Sequence, residues 1–282
     1  GANANAVAEE VVALMLADAR HVVPADASTR AGKWEKGNFM GKEITGKTVG
    51  IVGFGAIGQL TAKRLSGFEV KMLAYDPFLS DERARDLGAE SVDLGEIFEK
   101  CDYISLHMPE NDETRGIINK SLLARMKNGA TLINCARAGI LNEEDFRELK
   151  ADKGLRLLND VYPKDAAGDK PIADIADIML PHLGASSVEA NWNAAHRSAT
   201  QLIGYDDKGI ASYVVNRDIP EGLERAYSEL AFALAHTCRG IAGGNKQMKL
   251  IETSFYGDLA KFADWLLVQI VAALSDDFDR TQ

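Results

Sequence analysis

The sequence contains three side chains suited to proton and anion chemistry: Arg137, Asp165 and His182. An arginine guanidinium can hold a carboxylate through two parallel hydrogen bonds and polarise a neighbouring carbonyl. A histidine imidazole exchanges protons near neutral pH, and a carboxylate close to the ring favours the imidazolium form. Acting together, such groups suit reversible hydride transfer between a 2-hydroxy acid and a 2-oxo acid. Taken singly, each has an ordinary alternative: an ion pair for the arginine, an inert hydrogen bond for the histidine and a solvated loop for the aspartate.

A second group of residues has the spacing of a dinucleotide-binding turn, Gly53-Phe54-Gly55-Ala56-Ile57-Gly58. The turn follows an apolar, β-branched run and opens a helical segment. In that context Gly53 permits the tight turn, Gly55 lets the backbone approach a pyrophosphate, and Gly58 lets helix and strand pack closely. Asp76 lies 18 residues after Gly58, where a carboxylate binds a ribose diol and repels the extra phosphate of NADP. The pattern predicts NAD as the cofactor; the alternative is a tight turn without a ligand.

These residues are placed by short apolar runs that alternate with helical segments between residues 47 and 182. The alternation predicts an α/β fold with a doubly wound parallel sheet of the Rossmann type. The predicted strands are 48–53, 70–75, 103–107, 130–134, 155–159 and 177–180, and the predicted helices are 57–65, 81–87, 94–100, 120–126 and 142–150. Ligands bind beyond the carboxyl ends of such strands, so Arg137, Asp165 and His182 are expected at the same edge as the glycine-rich turn.

Both ends of the chain continue in other patterns. A helix is predicted over residues 5–20, and after residue 182 we expect a helix from 184 to about 203, a strand over 212–216, a helix over 223–240 and a strand over 248–256. The apolar run from Trp265 to Leu274 is a core helix or strand, because it is too short to span a bilayer. We predict a small C-terminal α+β module after residue 217.

Composition narrows the class of protein. The 282 residues are 46% hydrophobic and 26% charged, which is typical of a globular protein. A net charge of −10 argues against nucleic acid as a partner, and neither a membrane span nor a signal peptide is apparent. Cys101, Cys135 and Cys238 are widely spaced and have no metal-ligand pattern. We expect a cytoplasmic protein that acts on a small molecule and binds no metal.

The motifs resemble those of the D-isomer-specific 2-hydroxyacid dehydrogenase family. The matching residues follow the family's order from residue 1 to about 216: Asn3 with Val7-Ala8-Glu9, Gly53 to Gly58, Tyr75-Asp76-Pro77, Leu106-His107-Met108-Pro109 with Thr114, Asn134 to Gly139, Asp160-Val161 and Pro181 to Ser186. The resemblance implies that Arg137, Asp165 and His182 form the catalytic set and that Asn3, Arg137 and His182 face the substrate.

The resemblance also implies the residues that contact NAD. They are Gly53, Gly55, Ala56, Ile57, Gly58, Asp76, His107, Pro109, Thr114, Cys135, Ala136, Arg137, Asp160, His182, Gly184 and Ala185. His107, a competing catalytic base, therefore has only a cofactor-side role. The exposed face of helix 5–20 and the arm 32–39 around Trp34 resemble the family's dimer contact, which implies a homodimer or tetramer. Their alternative is a core helix followed by a loop.

Two departures from the family matter. The family's usual acid is Glu, whereas this sequence has Asp165, whose side chain is one methylene shorter. The family also has a long segment before the position of Asn3, forming most of a substrate domain, that this chain lacks. We therefore expect an NAD-binding domain with an inter-domain helix and dimer arm over 1–190, a return segment of the substrate domain over 191–218, and a partial C-terminal regulatory or intervening module over 219–282.

The substrate is indicated by the C-terminal run from Glu252 to Leu259. It resembles the start of a regulatory module in long family members that oxidise 3-phosphoglycerate to 3-phosphohydroxypyruvate in serine biosynthesis. The alternatives are a glyoxylate or hydroxypyruvate reductase and an NAD-sensing, corepressor-like binding protein. A formate dehydrogenase is disfavoured because Asp165 would then be expected to be Gln.

We predict that the 282-residue chain binds NAD but turns over a 2-hydroxy acid slowly. With most of the substrate domain absent, the cleft has one wall, so the substrate is neither positioned nor shielded from water. Fluorescence titration with NAD and a steady-state assay of the purified chain measure the two properties. Robust turnover by this chain would contradict the prediction.

Overall fold

The computed structural model describes residues 2–208, 220–241 and 252–274. It contains two compact units, residues 1–197 and 198–282. The first is built on a seven-stranded sheet in which every paired strand is parallel, in the order β3-β2-β1-β4-β5-β6-β7. The strands are β1 (Thr48–Val52), β2 (Lys71–Tyr75), β3 (Ala89–Ser91), β4 (Tyr103–Leu106), β5 (Thr131–Asn134), β6 (Arg156–Asn159) and β7 (Ile178–Met179). The predicted doubly wound α/β fold is confirmed.

Helices connect the strands and flank the sheet. They are α1 (Ala4–Ala19), α2 (Val22–Arg30), α3 (Ala56–Leu65), α4 (Asp81–Asp86), α5 (Leu94–Lys100), α6 (Lys120–Leu123), α7 (Glu143–Lys153), α8 (Val188–Lys208), α9 (Arg225–Ile241) and α10 (Ala263–Leu274). The predicted helices of the first unit agree with these to within a few residues at each end. α6 is shorter than predicted, because residues 124–126 continue only as turns.

The central strands are buried on both faces, as a parallel sheet between two helical layers requires. In β1, Val49 and Ile51 belong to one hydrophobic cluster, and Val52 belongs to the other. Gly50 lies so close to α5 that a Cβ there would come within 2.5 Å of Ile97 Cγ2. The sheet therefore separates two cores and leaves its carboxyl edge free for side chains that bind ligands.

One strand and one α-helix of the first unit were not predicted. β3 is a three-residue edge strand, too short to show an alternating pattern. α2 has no buried residue, so the sequence carries no apolar periodicity there. Its helical form is supported by local contacts instead, including an ion pair of 2.7 Å between Arg30 and Asp26.

The described part of the second unit consists of helices. α9 packs against α10, and a small core contains Leu223, Trp265 and Leu266. The apolar run from Trp265 is thus a helix. The predicted strand over 248–256 is wrong for residues 252–256, which have no regular secondary structure, because the described residues of this unit include no strand to pair with them. Its residues 248–251 and the predicted strand over 212–216 lie outside the described residues.

The predicted domain boundaries at residues 190 and 218 stay predictions. The boundary between the two compact units lies between residues 197 and 198. In the described ranges, no helix is long and apolar enough to cross a membrane.

Candidate cofactor and active site

The glycine-rich turn after β1 has the geometry that a bound pyrophosphate needs. Gly53 has a φ of +92°, and a Cβ there would lie 2.8 Å from the carbonyl carbon of His107. A Cβ on Gly58 would lie 2.3 Å from the carbonyl oxygen of Gly53. Space beside Gly55 is open, with no atom within 4 Å, and no side chain caps the amino end of α3. The first amides of α3, including those of Ala56 and Ile57, therefore face a gap suited to an anion.

Asp76, at the end of β2, has a structural role in addition to its predicted contact with ribose. Asp76 Oδ2 accepts a hydrogen bond of 2.8 Å from the backbone N–H of Phe54, inside the glycine-rich turn. Asp76 Oδ1 accepts another of 2.9 Å from the N–H of Phe78. The carboxylate thus joins two of the loops that would surround the adenosine half of NAD, and each oxygen retains a second lone pair for a ligand.

The loop after β4 keeps His107 neutral. Burial lowers the pKa of this imidazole to about 4, and its Nε2 lies 2.9 Å from Ser105 Oγ. An imidazole with so low a pKa is a weak proton acceptor near pH 7, which supports the cofactor-side role over a catalytic one. Further along the loop, the Thr114 hydroxyl donates a hydrogen bond of 2.6 Å to the carbonyl of Pro109 and closes the turn.

Arg137 and His182 line one pocket of about 660 Å³ at the carboxyl edge of the sheet. Asn134 shapes the turn before Arg137: its Nδ2 donates to the carbonyl of Arg137 at 3.0 Å, and its Oδ1 accepts from the N–H of Ala136 at 3.1 Å. The Arg137 guanidinium donates to the carbonyl of Ala136 at 2.6 Å. Within the described ranges it has no carboxylate partner, so the ion-pair alternative for this residue is not observed there.

His182 and Asp165 are in direct contact. His182 Nδ1 lies 2.7 Å from Asp165 Oδ2, which leaves Nε2 of the ring for another partner. The aspartate therefore reaches the ring although its side chain is one methylene shorter than the Glu usual in the family. His182 also has a φ of +58°, a left-handed conformation that is uncommon for a residue with a side chain.

The turn that carries His182 is held by a buried carboxylate. Asp160 Oδ1 accepts a hydrogen bond of 2.7 Å from the N–H of Leu183, and Oδ2 accepts one of 2.9 Å from the N–H of Gly184. On the other side of His182, the Tyr162 hydroxyl donates to the carbonyl of Leu180 at 2.7 Å. These bonds fix the backbone on both sides of the histidine.

Glu10 of α1 reaches the same region from a different part of the chain. Its Oε2 is buried without a hydrogen-bond partner. Burial and the neighbouring Asp160 raise the pKa of Glu10 to about 8. Burial together with the nearby carboxyl groups also raises the pKa of the Cys135 thiol well above its ordinary value. Burial and the neighbouring carboxylate therefore favour the protonated form of Glu10.

The structure thus brings most predicted site residues to one edge of the sheet. Asn3 is different: it is exposed, does not line the pocket that contains Arg137 and His182, and makes no side-chain cap at α1. Sequence reasoning missed Glu10, Asn134 and Tyr162 as positioning residues. Asn134 stood within a recognised motif, but no local pattern marks the contact of Glu10 with Asp160, because it joins distant parts of the chain. The roles of the predicted residues in catalysis and binding stay predictions.

The sheet order, the glycine-rich turn and the anion-binding helix start define the class: a Rossmann dinucleotide-binding domain. Residues 12–184 match the family model described as "D-isomer specific 2-hydroxyacid dehydrogenase, NAD binding domain". The chain belongs to this family of NAD-dependent dehydrogenases, which confirms both the resemblance and the predicted cofactor.

Individual relatives agree with this assignment. The chain is 37% identical over 271 residues to D-3-phosphoglycerate dehydrogenase of Synechocystis sp., covering 93% of this chain and 48% of that protein. It is 43% identical over 195 residues to hydroxypyruvate reductase of Thermotoga maritima, covering 67% and 63% respectively. The solved structure of D-2-hydroxyisocaproate dehydrogenase matches with a TM-score of 0.67 and 29% identity over 73% of this chain and 67% of that one. The chain thus spans about half the length of its Synechocystis relative.

We predict that Gly58→Ala destabilises the protein and weakens NAD binding. The added Cβ would lie 2.3 Å from the Gly53 carbonyl oxygen. Overpacking of this kind costs about 1–3 kcal/mol, more than the roughly 1 kcal/mol that alanine gains over glycine in a helix. Urea unfolding and NAD titration measure the effects. Gly67→Ala is the control, since no atom lies within 4 Å of its Cβ position. Equal stability and affinity of the two variants would contradict the prediction.

We predict that His107 makes the fold sensitive to mild acid. The folded protein holds the imidazole neutral to a pKa of about 4, whereas the unfolded chain takes up a proton near pH 6.5. Stability is therefore lost as pH falls below 6.5, by about 2 kcal/mol near pH 4.5. Urea unfolding at both pH values should show a smaller loss in His107→Gln than in wild type. The exposed His196→Gln is the control, and an equal loss in wild type and His107→Gln would refute the prediction.

Proposed function

We propose that the protein oxidises a D-2-hydroxy acid to the 2-oxo acid with NAD. The observation that carries the proposal is that Arg137 and His182 line one pocket and that Asp165 contacts the ring of His182. Arg137 supplies a cation for the substrate carboxylate, and the ring of His182 supplies a site for the hydroxyl proton. NAD accepts the hydride when it is bound.

The protein's own groups would divide the work in the following way. Arg137 holds the substrate carboxylate and polarises the adjacent C–O bond. His182 Nε2 takes the hydroxyl proton as the hydrogen on C2 leaves with its electron pair, because Nδ1 is already engaged by Asp165. Asp165 orients the ring and stabilises the positive charge that the ring then carries. In the reverse direction His182 returns the proton to the carbonyl oxygen.

The charges around the pocket favour an anionic substrate at Arg137. Glu110 is paired with Arg115, and Glu144 lies 2.8 Å from Arg147. Burial also raises the pKa of Glu143. The carboxylates of the pocket are thus partly neutralised, whereas Arg137 has no described carboxylate partner.

The proposed substrate is 3-phosphoglycerate, oxidised to 3-phosphohydroxypyruvate in serine biosynthesis. It is supported by the name of the Synechocystis relative, whose similarity extends over 93% of this chain and so beyond the NAD-binding domain. The second candidate is a hydroxypyruvate or glyoxylate reductase, which the similarity to the Thermotoga protein favours over 67% of the chain. An NAD-sensing binding protein stays the alternative from another functional class.

The predicted homodimer or tetramer and the cytoplasmic location are part of the same proposal. Trp34 exposes 87% of its surface, and Val22 and Val23 each expose about half. Trp34 lies in the predicted dimer arm, whereas Val22 and Val23 lie on α2, and exposed apolar side chains of this kind are available to pair with a second copy.

Steady-state kinetics of the full-length protein would test the proposal. We expect the highest kcat/KM with 3-phosphoglycerate and NAD, and lower values with glyoxylate and hydroxypyruvate in the presence of NADH. Arg137→Gln should lower kcat/KM by about a hundredfold or more, because the substrate carboxylate loses its charged partner. Arg125→Gln, which removes the partner of Glu99 on the surface, should leave it unchanged. A higher kcat/KM with glyoxylate or hydroxypyruvate would overturn 3-phosphoglycerate as the proposed substrate. NAD binding without turnover of any of these substrates would favour the NAD-sensing binding protein.

A further inference from the structure

Two carboxyl groups meet beneath the turn that carries His182. A Cβ placed on Gly184 would lie 3.1 Å from Glu10 Oε2 and 3.3 Å from Asp160 Oδ2. Both oxygens therefore border the same small space. If both carboxyl groups are ionised, the buried oxygen Glu10 Oε2 has no hydrogen-bond partner. Ionised carboxylates only accept hydrogen bonds, so a proton on one of them is needed to satisfy the pair.

The proton belongs on Glu10. Asp160 accepts two backbone N–H groups, at 2.7 Å and 2.9 Å, so both of its oxygens already serve as acceptors. Burial and the charge of Asp160 oppose the ionised form of Glu10 more strongly than a hydrogen bond from the Cys135 thiol favours it. Among the described residues no cation forms an ion pair with Glu10, and Arg64 of α3 lies 3.1 Å from its neighbour Glu9. Burial and the negative charge of Asp160 raise the pKa of Glu10 to about 8, as part of a pair that titrates together.

We propose that Glu10, as a neutral carboxylic acid, donates its proton to Asp160 in a hydrogen bond and is a positioning residue for the cofactor-side turn at Leu183 and Gly184. Asp160 then holds both amides of the turn, and the backbone around His182 keeps its left-handed conformation. When Glu10 ionises, two carboxylates stand side by side in a buried space. Asp160 moves away from its neighbour, the amides of the turn lose their acceptor and NAD binding weakens.

The coupling operates in both directions. If the neutral form of Glu10 favours NAD, then NAD favours the neutral form by the same factor. Bound NAD therefore raises the pKa of Glu10. This inference rests on the proposed contact of the turn with the dinucleotide, and it goes beyond that contact because it assigns a proton to a residue outside the catalytic set. It makes cofactor affinity fall in mild alkali.

The test is the dissociation constant of NAD, measured by intrinsic fluorescence as a function of pH. In wild type we expect it to rise about tenfold from about pH 6 to about pH 9.5, the change that one pKa unit of coupling produces. Glu10→Gln keeps the shape and a donor N–H₂ group but carries no charge, so its affinity should be almost independent of pH over the same range. Glu9→Gln, the neighbouring residue on α1, should retain the wild-type profile.

Carbon-13 NMR of glutamate side chains in wild-type protein provides a second measurement that does not need the variant to fold. The Glu10 carboxyl resonance, assigned by its absence in Glu10→Gln or by triple-resonance spectra, should titrate near pH 8 and at higher pH with NAD bound. A midpoint near 4.5, or parallel NAD profiles in wild type and Glu10→Gln, would overturn the inference. Wild-type protein that binds NAD with a flat profile overturns it while leaving the proposed function intact, whereas loss of all NAD binding refutes the cofactor site itself.

Discussion

The site depends on the hydrogen bonds that the buried carboxylate of Asp160 accepts. It lies just beyond β6 and accepts both backbone amides, of Leu183 and Gly184, that follow β7. A charged acceptor in a buried place makes stronger bonds than a neutral one, and its removal would leave two donors unsatisfied. Through these bonds the residue that follows β6 fixes the turn that follows β7. His182 lies in that turn and has a left-handed backbone conformation. The position of His182 is thus set by the sheet and not by a free loop.

The same edge of the sheet explains how an acidic chain, with a net charge of −10, could bind an anionic cofactor and the proposed anionic substrate. The pyrophosphate would be met by backbone amides at the start of α3, which carry partial charges and no counter-ion. The proposed substrate would be met by Arg137, whose guanidinium has no described carboxylate partner. Local dipoles and one cation therefore matter more than the overall charge, and the carboxylates nearby are paired, protonated or used to shape turns.

Much of the fold follows from local signals. The apolar runs of β1, β2, β4, β5 and β6 are largely buried, so their strand character is visible in sequence, and Gly53 and Gly58 are marked by their spacing. β3 and α2 were not found, because the first is too short and the second buries nothing. The contact between Asp165 and His182 was expected from their types, but its distance was not. Glu10 could not be found at all, since its chemistry comes from Asp160, far away in the chain.

The central claim is that this edge of the sheet supports hydride transfer from a 2-hydroxy acid. Single-turnover transfer of deuterium from 3-phosphoglycerate labelled at C2 to NAD, followed by mass spectrometry with the full-length protein, tests it most directly. The account predicts deuterated NADH in wild type, and almost none in a His182→Gln variant that still binds NAD. Deuterium transfer at the wild-type rate in His182→Gln, or none in a wild-type protein that binds both ligands, would contradict it.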